Sequence, residues 1–208
     1  MDIIINSFKH LNDPEFLIQY GGLTLLVISI FGETGLFFGF IFPSDSLLFI
    51  SGIMCGTPYL HTSLSILIPA LCLAAFIGNS TGYFVGKKMG QALNKKPDSL
   101  LFKRKYIDNT TEYYLKHGAK TITIGQFIPF IRTFSPVLAG TSGIAFKKFI
   151  CYNALGGILW ISSYILIGFF LGQIFPNLKD YLVYITAGII GLSAIPIIIT
   201  LVKKSQNK

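Results

Sequence analysis

The stretch TITIGQFIPFIRTFSPVLAGTSGIAF, residues 121–146, decides how this chain is organised. It is apolar enough to enter a membrane, but Pro129, Arg132, Pro136 and Gly140 interrupt it. Interrupted backbone is tolerated at membrane depth only where protein covers it or where it lines a wet cavity. We therefore predict a re-entrant hairpin, which enters and leaves the membrane on one side, with the two prolines and the glycine shaping its break.

The composition of the whole chain indicates a membrane protein. Of its 208 residues, 52% are hydrophobic and 12% are charged, and residues 46–86 contain no charged side chain. A membrane-spanning helix needs about 20 apolar residues. The net charge of +8 taken alone would suit nucleic acid, but the basic residues cluster between apolar segments. We therefore expect no nucleic-acid partner, and we exclude a soluble enzyme, a disordered tail and a disulfide-stabilised secreted module.

The basic residues also predict the orientation in the membrane, because lysines and arginines concentrate in cytoplasmic loops. Just over half of the 17 Lys and Arg residues lie in segment 87–120, and three more lysines end the chain. Segment 87–120 is therefore predicted to be a cytoplasmic amphipathic segment, and the C-terminus is predicted to be cytoplasmic. Lys147 and Lys148 are placed on the same side, which requires residues 121–146 to return to the side from which they entered.

The two halves of the chain follow the same pattern, because each has a broken apolar stretch followed by a long apolar helix. The two long helices are predicted to cross the membrane in opposite directions. This pattern is typical of an inverted repeat. Residues 16–32 are predicted to be a helix just long enough to cross. The predicted fold is all-α and integral to the membrane. It begins with an interfacial segment, 1–15, continues with a membrane domain, 16–175, and ends with a C-terminal transmembrane helix, 181–202. Within the membrane domain the predicted elements after the first helix are, in order, re-entrant hairpin 34–56, transmembrane helix 64–86, cytoplasmic segment 87–120, re-entrant hairpin 121–146 and transmembrane helix 149–175.

Three charged side chains interrupt the apolar segments: Glu33, Asp45 and Arg132. Each costs about 2.5–3.5 kcal/mol at the middle of a bilayer, which favours a functional role. Two acids and one base sum to −1 when all are ionised, so we expect one acid to hold a proton part of the time. The arginine suits a phosphate because its forked donors match two phosphate oxygens. The structural alternatives are a static ion pair, or a Glu33 that reaches the membrane surface.

Other motifs give weaker signals. Gly78, Gly82, Gly86 and Gly90 recur every four residues, which is expected for close packing of one helix against another. The three cysteines, Cys55, Cys72 and Cys151, show no paired spacing and are interpreted as buried small hydrophobic residues. The sequence holds no catalytic motif, so we expect no metal, no cofactor other than a proton gradient, and no enzymatic activity.

Three stretches resemble the DedA family of small bacterial membrane proteins, whose shared region is called the VTT or SNARE-associated domain. They are FGETGLFFGFIFPSDSLLFISG (31–52), GNSTGYFVGKKMG (78–90) and GQFIPFIRTFSPVLAGTSGIAFKKFICYNALGGILW (125–160). The resemblance extends over about residues 15–175. It implies a transporter in the bacterial cytoplasmic membrane that flips or scrambles undecaprenyl phosphate or phosphatidylethanolamine with proton dependence.

The resemblance also implies functional residues. The two acids of the family fall on Glu33 and Asp45, and one of its two arginines falls on Arg132, whereas the other position holds the uncharged Gln126. Phe130 and Ile144 replace a glycine and a methionine that are usual in the family. We expect Arg132 and Gln126 to bind the lipid headgroup and the two acids to carry the proton. The prolines expected to hold the broken helices open are Pro43, Pro129 and Pro136.

The function that these expectations favour is proton-coupled transport of a lipid phosphate, with membrane lipids as partners and homo-oligomerisation left open. A proton-coupled exporter of small cations or drugs would explain the acids but not the arginine. A lipid-phosphate phosphatase would need a nucleophile with an activating base near Arg132. A structural membrane protein would need the charges only as a pair. The sequence leaves the lipid and the direction of transport open.

Overall fold

The computed structural model describes residues 14–35, 44–93 and 120–175. These ranges form six α-helices and no β-strand: α1 (Pro14–Gly35), α2 (Ser44–Met54), α3 (Leu64–Leu93), α4 (Lys120–Gly125), α5 (Pro129–Thr141) and α6 (Phe146–Ile174). The all-α class is confirmed. The predictions for residues 1–13, for Pro43, for most of segment 87–120 and for helix 181–202 lie outside the described residues.

Two helices, α3 and α6, are long and apolar enough to cross a membrane, over Leu64–Gly90 and Phe146–Ile174. At 1.5 Å per residue each is about 40 Å long, which exceeds the hydrocarbon core of about 30 Å. Only 33% of the residues in the most apolar window of each helix are buried. Large apolar side chains such as Leu73 and Phe170 are exposed, as is expected where a helix faces lipid.

Helix α1 contains a break at Gly22, whose backbone has φ 51° and ψ −145°. Residues other than glycine rarely adopt this conformation. The C-terminal part of α1, Gly21–Gly35, is about 22 Å long and too short to cross a bilayer. The structure therefore replaces the continuous helix predicted over residues 16–32 with two helical pieces.

The broken stretch 121–146 forms two short helices, α4 and α5, joined by residues 126–128. Ile128 is extended (φ −110°, ψ 110°) and Pro129 opens α5. A residue before proline is pushed out of the helical region, so the proline ends one helix and begins the next. At the far end, Ser142 donates its backbone N–H to Leu138, and Gly143 adopts φ 71°. The two helices have 6 and 13 residues, and each is too short to cross a bilayer alone.

The chain divides into two compact units. Among the described residues, the first unit holds 14–26, 44–64 and 163–175. In this unit α2 packs against the C-terminal half of α6 at glycines. A Cβ on Gly52 of α2 would overlap the backbone of Ile165, and a Cβ on Gly168 of α6 would overlap the backbone of Phe49. The two backbones therefore approach closely, as small residues permit in membrane helices.

The second unit holds the described residues 27–35, 65–93 and 120–162. The glycine stripe of α3, at Gly78, Gly82, Gly86 and Gly90, packs here against the end of α1 and against α5. In order along α3, the residues that face the four glycines are Thr34, Pro136, Val137 and Thr141. Gly140 lies in the same contact, because a Cβ there would overlap the backbone of Tyr83. The stripe sets how closely α5 approaches α3.

We predict that Gly86→Ala destabilises the protein, because the added Cβ would overlap the backbone of Val137. Overpacking of this kind costs about 1–3 kcal/mol. The matched control is Gly157→Ala in α6, where a Cβ would have no neighbour within 4 Å. Thermal unfolding of the two purified variants in detergent should show a lower midpoint for Gly86→Ala alone. Equal midpoints would contradict the close contact between α3 and α5.

Candidate functional site

Arg132 and Glu33 form a buried ion pair in the second unit. The Arg132 Nη2 donates to Glu33 Oε1 at 2.5 Å, and the two side chains are 1% and 2% exposed. Glu33 comes from the last turns of α1, and Arg132 comes from the first turns of α5. The pair thus joins two helices that are 99 residues apart in sequence. Charges buried this deeply are retained where they are paired and hydrogen-bonded.

The guanidinium of Arg132 also contacts Trp160 and the backbone of Gln126. Its Cζ lies 3.9 Å from the ring centroid of Trp160, a buried residue of α6. Its Nη1 donates to the backbone carbonyl of Gln126 at 3.3 Å. A flat cation stacked on an indole is held in one plane, so the ring and the carbonyl fix the direction of the donors.

The prolines explain why Arg132 occupies this position. Pro129 begins α5, and the N–H of Arg132 donates to the Ile128 carbonyl at 2.9 Å in the first turn. Pro136, four residues after Arg132, has no N–H and cannot donate to the arginine carbonyl as a helix residue normally would. Both prolines therefore act on the turns that carry the arginine.

Gln126 lies beside this ion pair, in the turn between α4 and α5. Its side chain is fully buried and packs on α6, because a Cβ on Gly156 would lie 2.7 Å from the Gln126 Cγ. Neither atom of its amide group has a hydrogen-bond partner among the described residues. The expected headgroup residue thus contributes its backbone to Arg132 and keeps its amide available.

Two more buried amides were not assigned a role from the sequence. Asn153 of α6 and Asn79 of α3 are 1% and 0% exposed, and within the described ranges neither amide has a partner. Asn153 is one turn before Gly156, on the face of α6 that meets α4, where the Thr123 hydroxyl donates to the Tyr152 carbonyl at 3.0 Å. The signal was visible in the sequence as an amide within an otherwise apolar span.

Asp45 belongs to the first unit. It lies in the first turn of α2 and is 7% exposed. The N-terminus of a helix stabilises a carboxylate, because the helix dipole is positive there. This position gives Asp45 a structural role at the start of α2, in addition to the proton role expected from the sequence.

The cysteines follow the prediction only in part. Cys55 is buried, Cys72 is half-buried and Cys151 is exposed on α6, so the prediction of burial is wrong for Cys151. The Cys55 thiol donates to the Thr62 carbonyl at 3.0 Å. Across the described ranges, no three His, Cys, Asp or Glu residues lie close enough to hold a metal ion.

Comparison with known proteins places this arrangement in a family. A model of the VTT domain matches residues 42–170. Protein DedA of Escherichia coli strain K12 is 33% identical over 208 residues, which cover 99% of this chain and 94% of DedA. An uncharacterized membrane protein of Mycobacterium tuberculosis strain H37Rv is 32% identical over 206 residues, covering 96% and 90% of the two chains.

A more distant relative is named as an inner membrane protein. The inner membrane protein YghB of Salmonella typhimurium strain LT2 is 30% identical over 157 residues, which cover 76% of this chain and 70% of YghB. No solved structure gives a significant match. The family match covers more than half of the chain, and the match to DedA is nearly full-length, so the family predicted from the three motif stretches is confirmed. This chain is a membrane protein of the DedA family and contains its VTT domain.

Proposed function

We propose that this protein transports a lipid phosphate across the bacterial cytoplasmic membrane, as a flippase or scramblase coupled to protons. The observation that carries the proposal is the buried ion pair of Arg132 and Glu33, in a chain whose described residues include two helices long and apolar enough to cross a membrane. Ionisable residues within a membrane typically mark a substrate path or a proton relay. The partners would be membrane lipids, and the chain would act as a transporter rather than as an enzyme.

The chemistry of Arg132 favours a phosphate as cargo. A guanidinium offers parallel N–H donors that match two oxygens of a phosphate or of a carboxylate. The Glu33 carboxylate accepts a hydrogen bond from one of these donors, so it holds the position that a phosphate oxygen would take. The arginine therefore supports anion transport better than export of cations or drugs.

A proton offers a simple way to exchange the two partners of Arg132. When Glu33 takes up a proton, it loses its charge and its pairing with the arginine weakens. A lipid phosphate can then bind Arg132 without adding a second buried negative charge. Loss of the proton restores the ion pair and expels the lipid. Asp45, at the start of α2 in the first unit, would be a second carrier of protons.

The packing of the short helices supports the re-entrant inverted repeat. In the first unit, α2 meets the long helix α6 at glycines, and in the second unit α5 meets the long helix α3 at glycines. Each short apolar helix thus packs against the span that belongs to the other half of the sequence. In transporters built from inverted repeats, substrate sites form at such broken helices. We propose that both broken stretches enter and leave the membrane on one side, with the C-terminus in the cytoplasm.

Lipid movement in proteoliposomes tests this function. Fluorescent phosphatidylethanolamine and a polyprenyl phosphate would be followed in parallel, with and without a pH gradient, against vesicles that lack protein. We expect faster movement of at least one lipid, and further acceleration by the gradient. Release of inorganic phosphate from the polyprenyl phosphate would instead indicate a lipid-phosphate phosphatase. A folded protein that moves neither lipid would refute the proposal.

A further inference from the structure

Two buried amides lie near the turn between α4 and α5, whose Gln126 backbone carbonyl accepts a hydrogen bond from Arg132. Arg132 lies at the turn that holds Gln126, and Gln126 packs at Gly156, one turn from Asn153 on α6. The amides of Gln126 and Asn153 are each at least 99% buried and have no hydrogen-bond partner among the described residues. A buried amide without a partner is unfavourable, so these two side chains indicate a ligand with hydroxyl groups beside its anionic group.

The charges at the site limit the anion that Arg132 can bind. Lys87, Lys88, Lys147 and Lys148 are exposed. Of the lysines and arginines whose burial the structure describes, Arg132 is therefore the one that is buried, and it pairs with Glu33. A phosphodiester carries one negative charge and can replace that carboxylate with no change in net charge. A phosphomonoester carries about −1.5 to −2 at neutral pH and would leave an uncompensated buried charge.

We infer that the site at Arg132 selects lipids with a singly charged phosphodiester headgroup that bears hydroxyl groups, such as phosphatidylglycerol, over lipids that end in a phosphomonoester. This inference rests on the proposed lipid transport and specifies its cargo. Arg132 binds the phosphodiester oxygens, and Gln126 and Asn153 bind the polar part of the headgroup. An amide suits that part because it both donates and accepts hydrogen bonds.

A competition between lipids tests the selectivity. Proteoliposomes of the full chain would carry labelled phosphatidylglycerol and phosphatidic acid at equal amounts, with the same acyl chains and with the pH held at 7.5. The phosphodiester lipid is expected to move about tenfold faster or more, since loss of one favourable contact to a charged group is worth at least that factor. Equal rates, or faster movement of phosphatidic acid, would overturn the inference and leave lipid transport standing, whereas movement of neither lipid would overturn both.

Two variants assign the selectivity to the amides. Asn153→Leu keeps the size of the side chain but removes its hydrogen bonds, so the phosphatidylglycerol rate should fall about tenfold. The matched control is Gln173→Leu, an exposed amide on the same helix, which should keep the wild-type rate. Gln126→Arg adds a second cation and should shift the preference toward phosphatidic acid by about tenfold or more. A folded Asn153→Leu protein with unchanged rates and unchanged preference would overturn the role of the amides.

A soluble analogue distinguishes a lipid headgroup from a free phosphodiester. Glycerophosphoglycerol added to the vesicles should slow movement of phosphatidylglycerol, whereas glycerol phosphate at the same concentration should not. Labelled glycerophosphoglycerol itself should stay outside the vesicles. Its uptake would overturn a lipid as the ligand, and stronger inhibition by glycerol phosphate would overturn the preference for a diester. Thermal unfolding of every variant shows which proteins are folded, so Gln126→Arg still tests the inference if Asn153→Leu does not fold.

Discussion

Replacement of Arg132 by alanine should abolish lipid movement in proteoliposomes. Arg132 is the buried cation that the proposed mechanism requires. It is 1% exposed and contacts Glu33 of α1 and Trp160 of α6. The variant removes both the phosphate donors and the partner of Glu33. Removing one member of a buried ion pair costs about 3–5 kcal/mol, so the variant should also unfold at a lower temperature.

A second substitution separates the charge of Arg132 from its shape. Arg132→Lys keeps the charge but loses the forked donors and the stacking on Trp160, and should lower the rate about tenfold or more. Ile131→Ala is the matched control, because Ile131 is the preceding residue of α5 and is exposed. Size-exclusion profiles and unfolding midpoints identify the folded variants. Wild-type movement by a folded Arg132→Ala protein would remove Arg132 from the mechanism.

Replacement of Glu33 by glutamine should uncouple lipid movement from the pH gradient. Glutamine is close in size to glutamate but cannot take up or release a proton at this site. It also removes the buried carboxylate that pairs with Arg132, so we expect a lower unfolding midpoint, because breaking a buried ion pair is destabilising. The measurement is the ratio of lipid movement with and without a gradient, which should exceed 1 in the wild type and equal about 1 in the variant, because in this mechanism Glu33 exchanges the proton.

Glu33→Asp serves as the control for this substitution. It retains a carboxylate that can exchange a proton, although the shorter side chain weakens the 2.5 Å contact to Arg132. We expect a slower rate that still depends on the gradient. If Glu33→Gln keeps full gradient dependence while folded, the ion pair is a structural lock and the proton is carried elsewhere, with Asp45 as the next candidate.

The helices were predictable from the sequence because their causes are local. Apolar runs of sufficient length define α3 and α6, and Pro129 defines the break before α5 through its effect on Ile128. The break at Gly22 was not predictable in the same way. Gly21 and Gly22 are adjacent, and the sequence does not specify which of the two glycines adopts the positive φ angle that the structure gives to Gly22.

The candidate site was predictable residue by residue but not as an arrangement. Glu33 and Arg132 stand out as charges in apolar segments, and the family resemblance selects them together with Gln126. Their pairing over 99 residues depends on how α1 packs with α5, and this cannot be obtained from periodicity. Asn153 lies in one of the motif stretches, but the sequence alone assigns it no role, because an uncharged amide lowers the hydropathy of a segment only slightly and its burial is visible only in the structure.

The glycine stripe illustrates the difference between a pattern and its partner. The spacing of Gly78, Gly82, Gly86 and Gly90 predicts a close approach on one face of a helix. It does not specify the helix that approaches. The structure places α5 and the end of α1 there, so the stripe sets the distance between α3 and the helix that carries Arg132. The glycine packing therefore supports the position of Arg132.

Proton movement that accompanies lipid transport is the most direct test of the central claim, which is that a lipid phosphate and Glu33 exchange at Arg132. Vesicles with the wild-type protein and a pH-sensitive dye in the lumen would receive phosphatidylglycerol in the outer leaflet, with no imposed gradient. We predict a change in lumenal pH that follows the addition of lipid and is absent with Glu33→Gln. Lipid movement at the wild-type rate with no proton movement would contradict the exchange.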